Sequence, residues 1–103
     1  MVCKVTWMPN AIHSYIKNVD YLKQNWTGKE VDKFIDLVEK KIHNLSNHPR
    51  LGVSRNKKYP NIRLTLIHKR VALIYRHKPA MNEIELLVFW NTSQNPRKLK
   101  SIT

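Results

Sequence analysis

The chain has one cysteine, two glycines, seven acidic residues and no apolar run long enough to span a membrane. A lone thiol excludes an internal disulfide and fits a reducing compartment, so Cys3 reads as a small buried hydrophobe in a leading strand. Gly28 and Gly52 are too far apart for a glycine-rich phosphate loop. The five histidines show no HxxxH spacing and there is no CxxC, so neither a metal nor another cofactor is expected. The opening MVCKVTW lacks the long apolar segment of a signal peptide, and the expected location is the cytoplasm, away from membranes.

What the chain has in excess is positive charge. Nineteen Lys and Arg oppose seven Asp and Glu, a formal +12 in 103 residues. Residues 1–48 carry seven Lys against five acids, whereas residues 49–103 carry twelve Lys or Arg against Glu83 and Glu85. The second half is therefore expected to meet an anion: nucleic acid, an anionic membrane surface or an acidic protein. Solubility alone is the plainer explanation of such charge. The length supports one core, the 42% apolar content is globular, and no repeat or linker interrupts the chain, so residues 1–103 are read as a single domain.

Residues 2–7, VCKVTW, alternate as a short strand, with Cys3, Val5 and Trp7 on one face. Ile12, Tyr15, Ile16, Val19, Leu22 and Trp26 then form the stripe of an amphipathic helix. Thr27-Gly28-Lys29-Glu30 has the form of a capping box and starts a second helix at Gly28, whose apolar face is Val31, Phe34, Ile35, Val38, Ile42 and Leu45. That helix should end before His48-Pro49, because proline disfavours the helical conformation in the residue preceding it. A joint as short as Asn25 to Gly28 makes the two helices an antiparallel hairpin. After a basic loop at residues 50–60, the runs NIRLTLI (61–67), RVALIYRH (70–77) and EIELLVFW (83–90) are rich in β-branched and aromatic residues and read as strands. The expected class is α+β: a strand, an antiparallel helix hairpin and a three-stranded antiparallel meander, in the order β-α-α-β-β-β.

A two-residue turn at His68-Lys69 would set Leu66 opposite Val71, Leu64 opposite Leu73 and Ile62 opposite Tyr75. A four-residue turn from Pro79 to Asn82 would set Leu86 opposite Tyr75, Val88 opposite Leu73 and Trp90 opposite Val71. On that register one face is uniformly apolar and lies under the helices. The other presents Arg63, Thr65, Ile67, Arg70, Ala72, Ile74, Arg76, Glu85, Leu87 and Phe89, too basic for a core and too apolar for a solvated face. It suits a groove for an acidic amphipathic peptide or a phosphate-bearing partner, unless the tail from Asn91 folds back over it. Arg76 can pair with Glu85 across the strands. Arg63 and Arg70 have no evident acidic neighbour and are the better cations for a partner.

The ordered set VTW (5–7), EVDKFIDLVEKKIHNLSNHPRLG (30–52), IRLTL (62–66), VALIYR (71–76) and IELLVFWNTSQNP (84–96) resembles the RelE/ParE superfamily of bacterial type II toxins over nearly the whole chain. The resemblance implies a small growth-inhibiting toxin of the kind linked to plasmid stabilisation, held by an acidic antitoxin that wraps around it. It leaves open a homodimer or a hetero-oligomer with that antitoxin. One branch of the superfamily consists of metal-independent ribonucleases that cleave mRNA in the ribosome, and the ParE-like branch poisons DNA gyrase. In the nuclease branch the resemblance places an Arg near the end of the second strand and an Arg, His or Tyr just beyond the last. The matching positions here are Ile67 and the uncharged run Asn91-Thr92-Ser93-Gln94-Asn95, which supply neither a base nor an acid near neutral pH. His68, Lys69 and His77 can titrate but sit at turns.

The ParE-like side is therefore favoured: a toxin neutralised by an acidic antitoxin and directed at DNA gyrase, with no catalytic residue assigned. The expected antitoxin- or target-binding residues are Lys57, Lys58, Arg63, Arg70, Arg76, Phe89, Arg97 and Lys98. One alternative is a ribosome-dependent mRNA endoribonuclease using Arg63, His68, Lys69 and Arg76. The other is a plain basic nucleic-acid-binding module.

Overall fold

The computed structural model describes residues 2–54, 56–68 and 70–91. Strand β1 (Lys4–Trp7) leads into helices α1 (Pro9–Asn25) and α2 (Gly28–Asn47), followed by strands β2 (Val53–Ser54), β3 (Ile62–His68), β4 (Val71–Lys78) and β5 (Glu83–Asn91). The strands form one sheet in the order β1-β5-β4-β3-β2, with β1 parallel to β5 and the other pairs antiparallel. The α+β class and the element order are as expected. The parallel seat of β1 beside β5 and the short strand inside the basic loop are additions to it.

Local signals account for the helices. Pro9 sits in the first turn of α1, where its missing N–H has no intrahelical partner to lose. The Thr27 hydroxyl accepts from the Glu30 amide at 3.3 Å and caps α2. Thr27→Ala should lower stability by about 1 kcal/mol. A fall in the urea midpoint at unchanged m-value would show it, and an unchanged midpoint would mean the cap is idle. Val31, Phe34, Val38 and Leu45 of α2 are buried, with Ile35 and Ile42 packed at the margin of the core.

Helix α1 is rotated from the expected stripe. Ala11, Asn18 and Leu22 are buried, while Ile12 and Ile16 are 45% and 52% exposed. The reason lies at the sheet edge, because β1 pairs with β5 only from Glu83 to Leu86. Beyond that point α1 closes the edge with polar side chains. The Phe89 N–H donates to Ser14 Oγ at 2.8 Å, and Asn18 Nδ2 donates to the Phe89 carbonyl at 3.1 Å. Each backbone group would cost about 1–3 kcal/mol if buried unpaired. Turning Ser14 and Asn18 inward carries Ile12 and Ile16 outward.

The faces of β4 are as expected, but β3 is flipped. Pairing starts with His68 opposite Val71, a bulge takes up Ile67, and Leu64 faces Ile74 rather than Leu73. Side chains alternate, so this slip puts Arg63, Thr65 and Ile67 under the helices and Leu64 and Leu66 on the open face. Thr65 and Ile67 are buried, whereas Leu66 is 56% exposed. On β5 the expected register holds as far as Leu86 opposite Tyr75. A bulge at Leu87 then re-phases the strand, so that Phe89 faces Leu73 and Trp90 faces Ala72.

Two expectations are corrected by this register. Phe89 does not present itself to a partner: it is 2% exposed in the core, stacked on Trp7 at 5.4 Å and tilted against Tyr15 at 5.4 Å. Arg63 likewise faces the helices. Beyond Leu86 both faces of β5 are apolar, so the hydrophobic pattern does not discriminate between its two phases. On β3 the pattern favours Leu64 and Leu66 inward, and the structure overrides it, with Arg63 on the covered side donating to the Gly52 and Arg50 carbonyls.

Candidate partner-binding face

The face turned away from the helices is built by alternate residues of the sheet: Ile62, Leu64 and Leu66 of β3, Ala72, Ile74, Arg76 and Lys78 of β4, and Glu83, Glu85, Val88 and Trp90 of β5. Val53 pairs with Leu64 and shares this face. Ala72, Ile74 and Trp90 at its centre are buried. The β3–β2 side is open, with Val53 67% exposed beside Leu66.

Toward β5 the acidic groups are engaged. Arg76 Nη1 lies 3.1 Å from Glu85 Oε1, and Lys78 Nζ lies 3.7 Å from Glu85 Oε2 and 3.8 Å from Glu83 Oε1. Thr6 Oγ1 donates to Glu83 Oε2 at 2.7 Å. The expected Arg76–Glu85 pair is thus present, yet the Arg76 side chain stays 45% exposed. A pair so exposed is worth at most about 1 kcal/mol, and a stronger anion can displace it. Lys57 and Lys58 are exposed in the turn before β3, and Lys58 Nζ lies 5.7 Å from the Tyr59 ring centroid. Arg70 is exposed in the β3–β4 turn. Lys69, Arg97 and Lys98 lie outside the described residues, as do the polar run from Thr92 and any folding back of the tail.

Arg63 does something else. Its Nη1 donates to the Gly52 carbonyl at 2.7 Å and to the Arg50 carbonyl at 3.3 Å, and its Nε is buried with no hydrogen-bond partner. Beside it the Tyr75 hydroxyl accepts from the Gly52 N–H and donates to the Pro49 carbonyl, both at 2.8 Å. Burial pushes the Tyr75 phenol above its ordinary value, against smaller opposing effects of the Gly52 hydrogen bond and the Arg63 charge. Together the two side chains fasten residues 49–52 to the sheet. Sequence reasoning missed this clamp; its one signal is a glycine beside a proline-ended helix, which a loop pressed against a ring requires.

His77 is buried, and burial, followed by the charges of Arg50 and Arg63, holds it below its ordinary value of 6.5. The folded protein prefers the neutral ring, and the unfolded chain takes up the proton more readily. Its stability is therefore full above the unfolded value and declines as the pH falls toward the folded one. The urea midpoint should fall between about pH 7.5 and about pH 5 more steeply in the wild type than in His77→Gln. Parallel curves would remove His77 from the account.

Of the alternative nuclease set, the described members Arg63, His68 and Arg76 are not brought together. Arg63 lies under the helices, Arg76 is on the opposite face, and His68 packs its ring on Trp26 with centroids 4.8 Å apart. Among the described residues no helix is long and apolar enough to cross a membrane.

Two helices on a mixed five-stranded sheet make up an architecture shared with solved toxins of toxin–antitoxin systems. The chromosomal ParDE system from P. aeruginosa matches with a TM-score of 0.68 at 15% identity, over 87% of this chain and 96% of that one. The RelBE2 toxin–antitoxin complex from Mycobacterium tuberculosis matches with a TM-score of 0.63 at 15% identity, over 88% and 99%. A free RelE mutant from E. coli gives 0.60 at 11% identity, over 99% and 96%. At these identities the likeness is one of fold. No curated protein matches the sequence. The family model of the ParE toxin of type II toxin–antitoxin systems, parDE, matches residues 5–96, and the chain belongs to that family. It is a type II toxin.

Proposed function

We propose that the protein arrests growth as an inhibitor of DNA gyrase in the cytoplasm, and that an acidic, amphipathic antitoxin segment neutralises it by covering the open face of the sheet and the basic loop. The observation that carries the partner is the exposure of Val53 and Leu66, with half-buried Leu64 between them, on a face that also bears Arg76 and Lys78 and whose own carboxylates are already engaged. Lys57 and Lys58 are exposed in the basic loop that leads into β3. Apolar anchors supply affinity, and the surrounding cations supply steering and selectivity for an acidic chain. Similarity to the ParDE and RelBE2 toxin–antitoxin systems supports a partner of that kind.

Membership of the ParE family supports gyrase as the target. Inhibition without RNA cleavage is further supported by the separation of Arg63, His68 and Arg76. Attack by a ribose 2′-hydroxyl needs a base, a cation on the developing phosphorane-like charge and an acid, all within reach of one substrate. Inducible expression, with mRNA integrity followed beside the DNA-damage response, tests the reading. An early damage response over intact mRNA is expected. Early loss of mRNA at codon-length intervals would replace it with the ribonuclease. Absence of growth arrest with salt-sensitive binding to bulk nucleic acid would leave a plain nucleic-acid-binding module.

A further inference from the structure

Where the joint between the helices approaches the β3–β4 turn, a cleft of about 410 Å³ opens, lined by Trp26, Glu30, Lys33, Phe34, His68 and Arg70. Its volume falls within the range of small-ligand sites, about 300–1,000 Å³. Phe34, fully buried, belongs to the core beneath it, while Trp26 is only partly buried and lies at 58° to the His68 ring. Lys33 and Arg70 are exposed, and Glu30 is the single carboxylate among the described lining residues.

A hydrophobic packing gap would not need two permanent cations and an indole at its mouth. Those groups suit a flat ring that carries negative charge. An indole stacks any nucleobase, since every base has a π-face. A guanidinium grips phosphate oxygens in a fork and an ammonium adds a point charge. We propose that this cleft binds a nucleoside phosphate, with the base laid against Trp26 and the phosphate held by Arg70 and Lys33. Free nucleotide and a unit of a single-stranded nucleic acid share that chemistry. The site is separate from the open sheet face, and it stands or falls apart from the gyrase and antitoxin reading.

The test titrates the purified full chain with AMP, adenosine, inorganic phosphate and a short single-stranded oligonucleotide, read by tryptophan fluorescence and calorimetry. AMP or the oligonucleotide should saturate the site and quench emission, and adenosine and phosphate alone should bind far more weakly. Lys33→Glu and Arg70→Glu should each weaken binding by about tenfold or more. Both positions are exposed, and thermal melts verify that the variants fold. Trp26→Phe keeps a ring in place but should abolish the quench, leaving the emission of Trp7 and Trp90. Tighter binding of the oligonucleotide than of AMP would identify the ligand as part of a strand, and binding of AMP alone as a free nucleotide. Phosphate binding as well as AMP, affinity unchanged in Lys33→Glu, or no saturable binding of either nucleotide form would overturn the proposal.

Discussion

Replacing Leu66 by glutamate is expected to weaken antitoxin binding by at least about thirtyfold while leaving the melting temperature of the free toxin nearly unchanged. The two effects separate because Leu66 is 56% exposed on the open face. Removal of a central apolar anchor costs about 2 kcal/mol of affinity or more. A carboxylate in its place also repels an acidic partner. An exposed substitution, by contrast, alters stability by about 0.5 kcal/mol or less. Calorimetry with the proposed acidic antitoxin measures the first effect, and a thermal melt the second. Ile16→Glu is the control: it is 52% exposed on the helical side of the molecule and should bind as the wild type does. Equal weakening by both substitutions, or none by Leu66→Glu, would remove the open face as the binding site. The melt also tests the register of β3. With Leu66 opposite Val71 the side chain would lie in the core, and a glutamate there would unfold the protein.

Gly52→Ala should destabilise the fold by about 3 kcal/mol. A Cβ at this position would lie 2.7 Å from the Tyr75 hydroxyl, 2.8 Å from a carbon of its ring and 2.9 Å from the Leu64 carbonyl oxygen. Neither neighbour can move away. Tyr75 is fully buried, and the Leu64 carbonyl belongs to the sheet. The loop must lift, and in lifting it strains the Gly52 and Pro49 bonds to Tyr75 and the carbonyls that hold Arg63. For a domain of this size the loss corresponds to a fall in melting temperature of roughly 12–24 °C. Gly28→Ala supplies the contrast, since a Cβ there meets nothing within 4 Å and alanine favours the first turn of a helix. It should be neutral or slightly stabilising. If Gly52→Ala melted like Gly28→Ala, the Tyr75–Arg63 clamp would not be holding the loop.

Much of the candidate site was legible in the chain, though not its facing. The Arg76–Glu85 pair and the placement of Ala72 and Ile74 away from the helices follow from strand alternation and one turn length. The facing of Arg63 and Phe89 is not legible because the bulges at Ile67 and Leu87 leave no mark in the sequence: the β5 pattern reads equally well in either phase, and that of β3 favours the phase the structure does not adopt. The inward turn of Ser14 and Asn18 was hidden for a similar reason. They look like polar residues of an outer surface until the strand edge they close is known.

The class of fold, the bounds of the helices and the asymmetry of charge depend on local quantities: the spacing of apolar residues, the Thr27 cap, the proline after His48 and the count of basic side chains. They can be read residue by residue. Which side of β3 meets the helices depends on groups distant in the sequence, because alternation alone would turn Leu64 and Leu66 inward and only a partner for the Arg63 guanidinium makes the other side tolerable under the helices. The carbonyls of Arg50 and Gly52 decide it by receiving the Arg63 guanidinium on the covered side, and Trp7 and Tyr15 decide it for Phe89. The same choices put Leu66, rather than Phe89, where a partner can reach it.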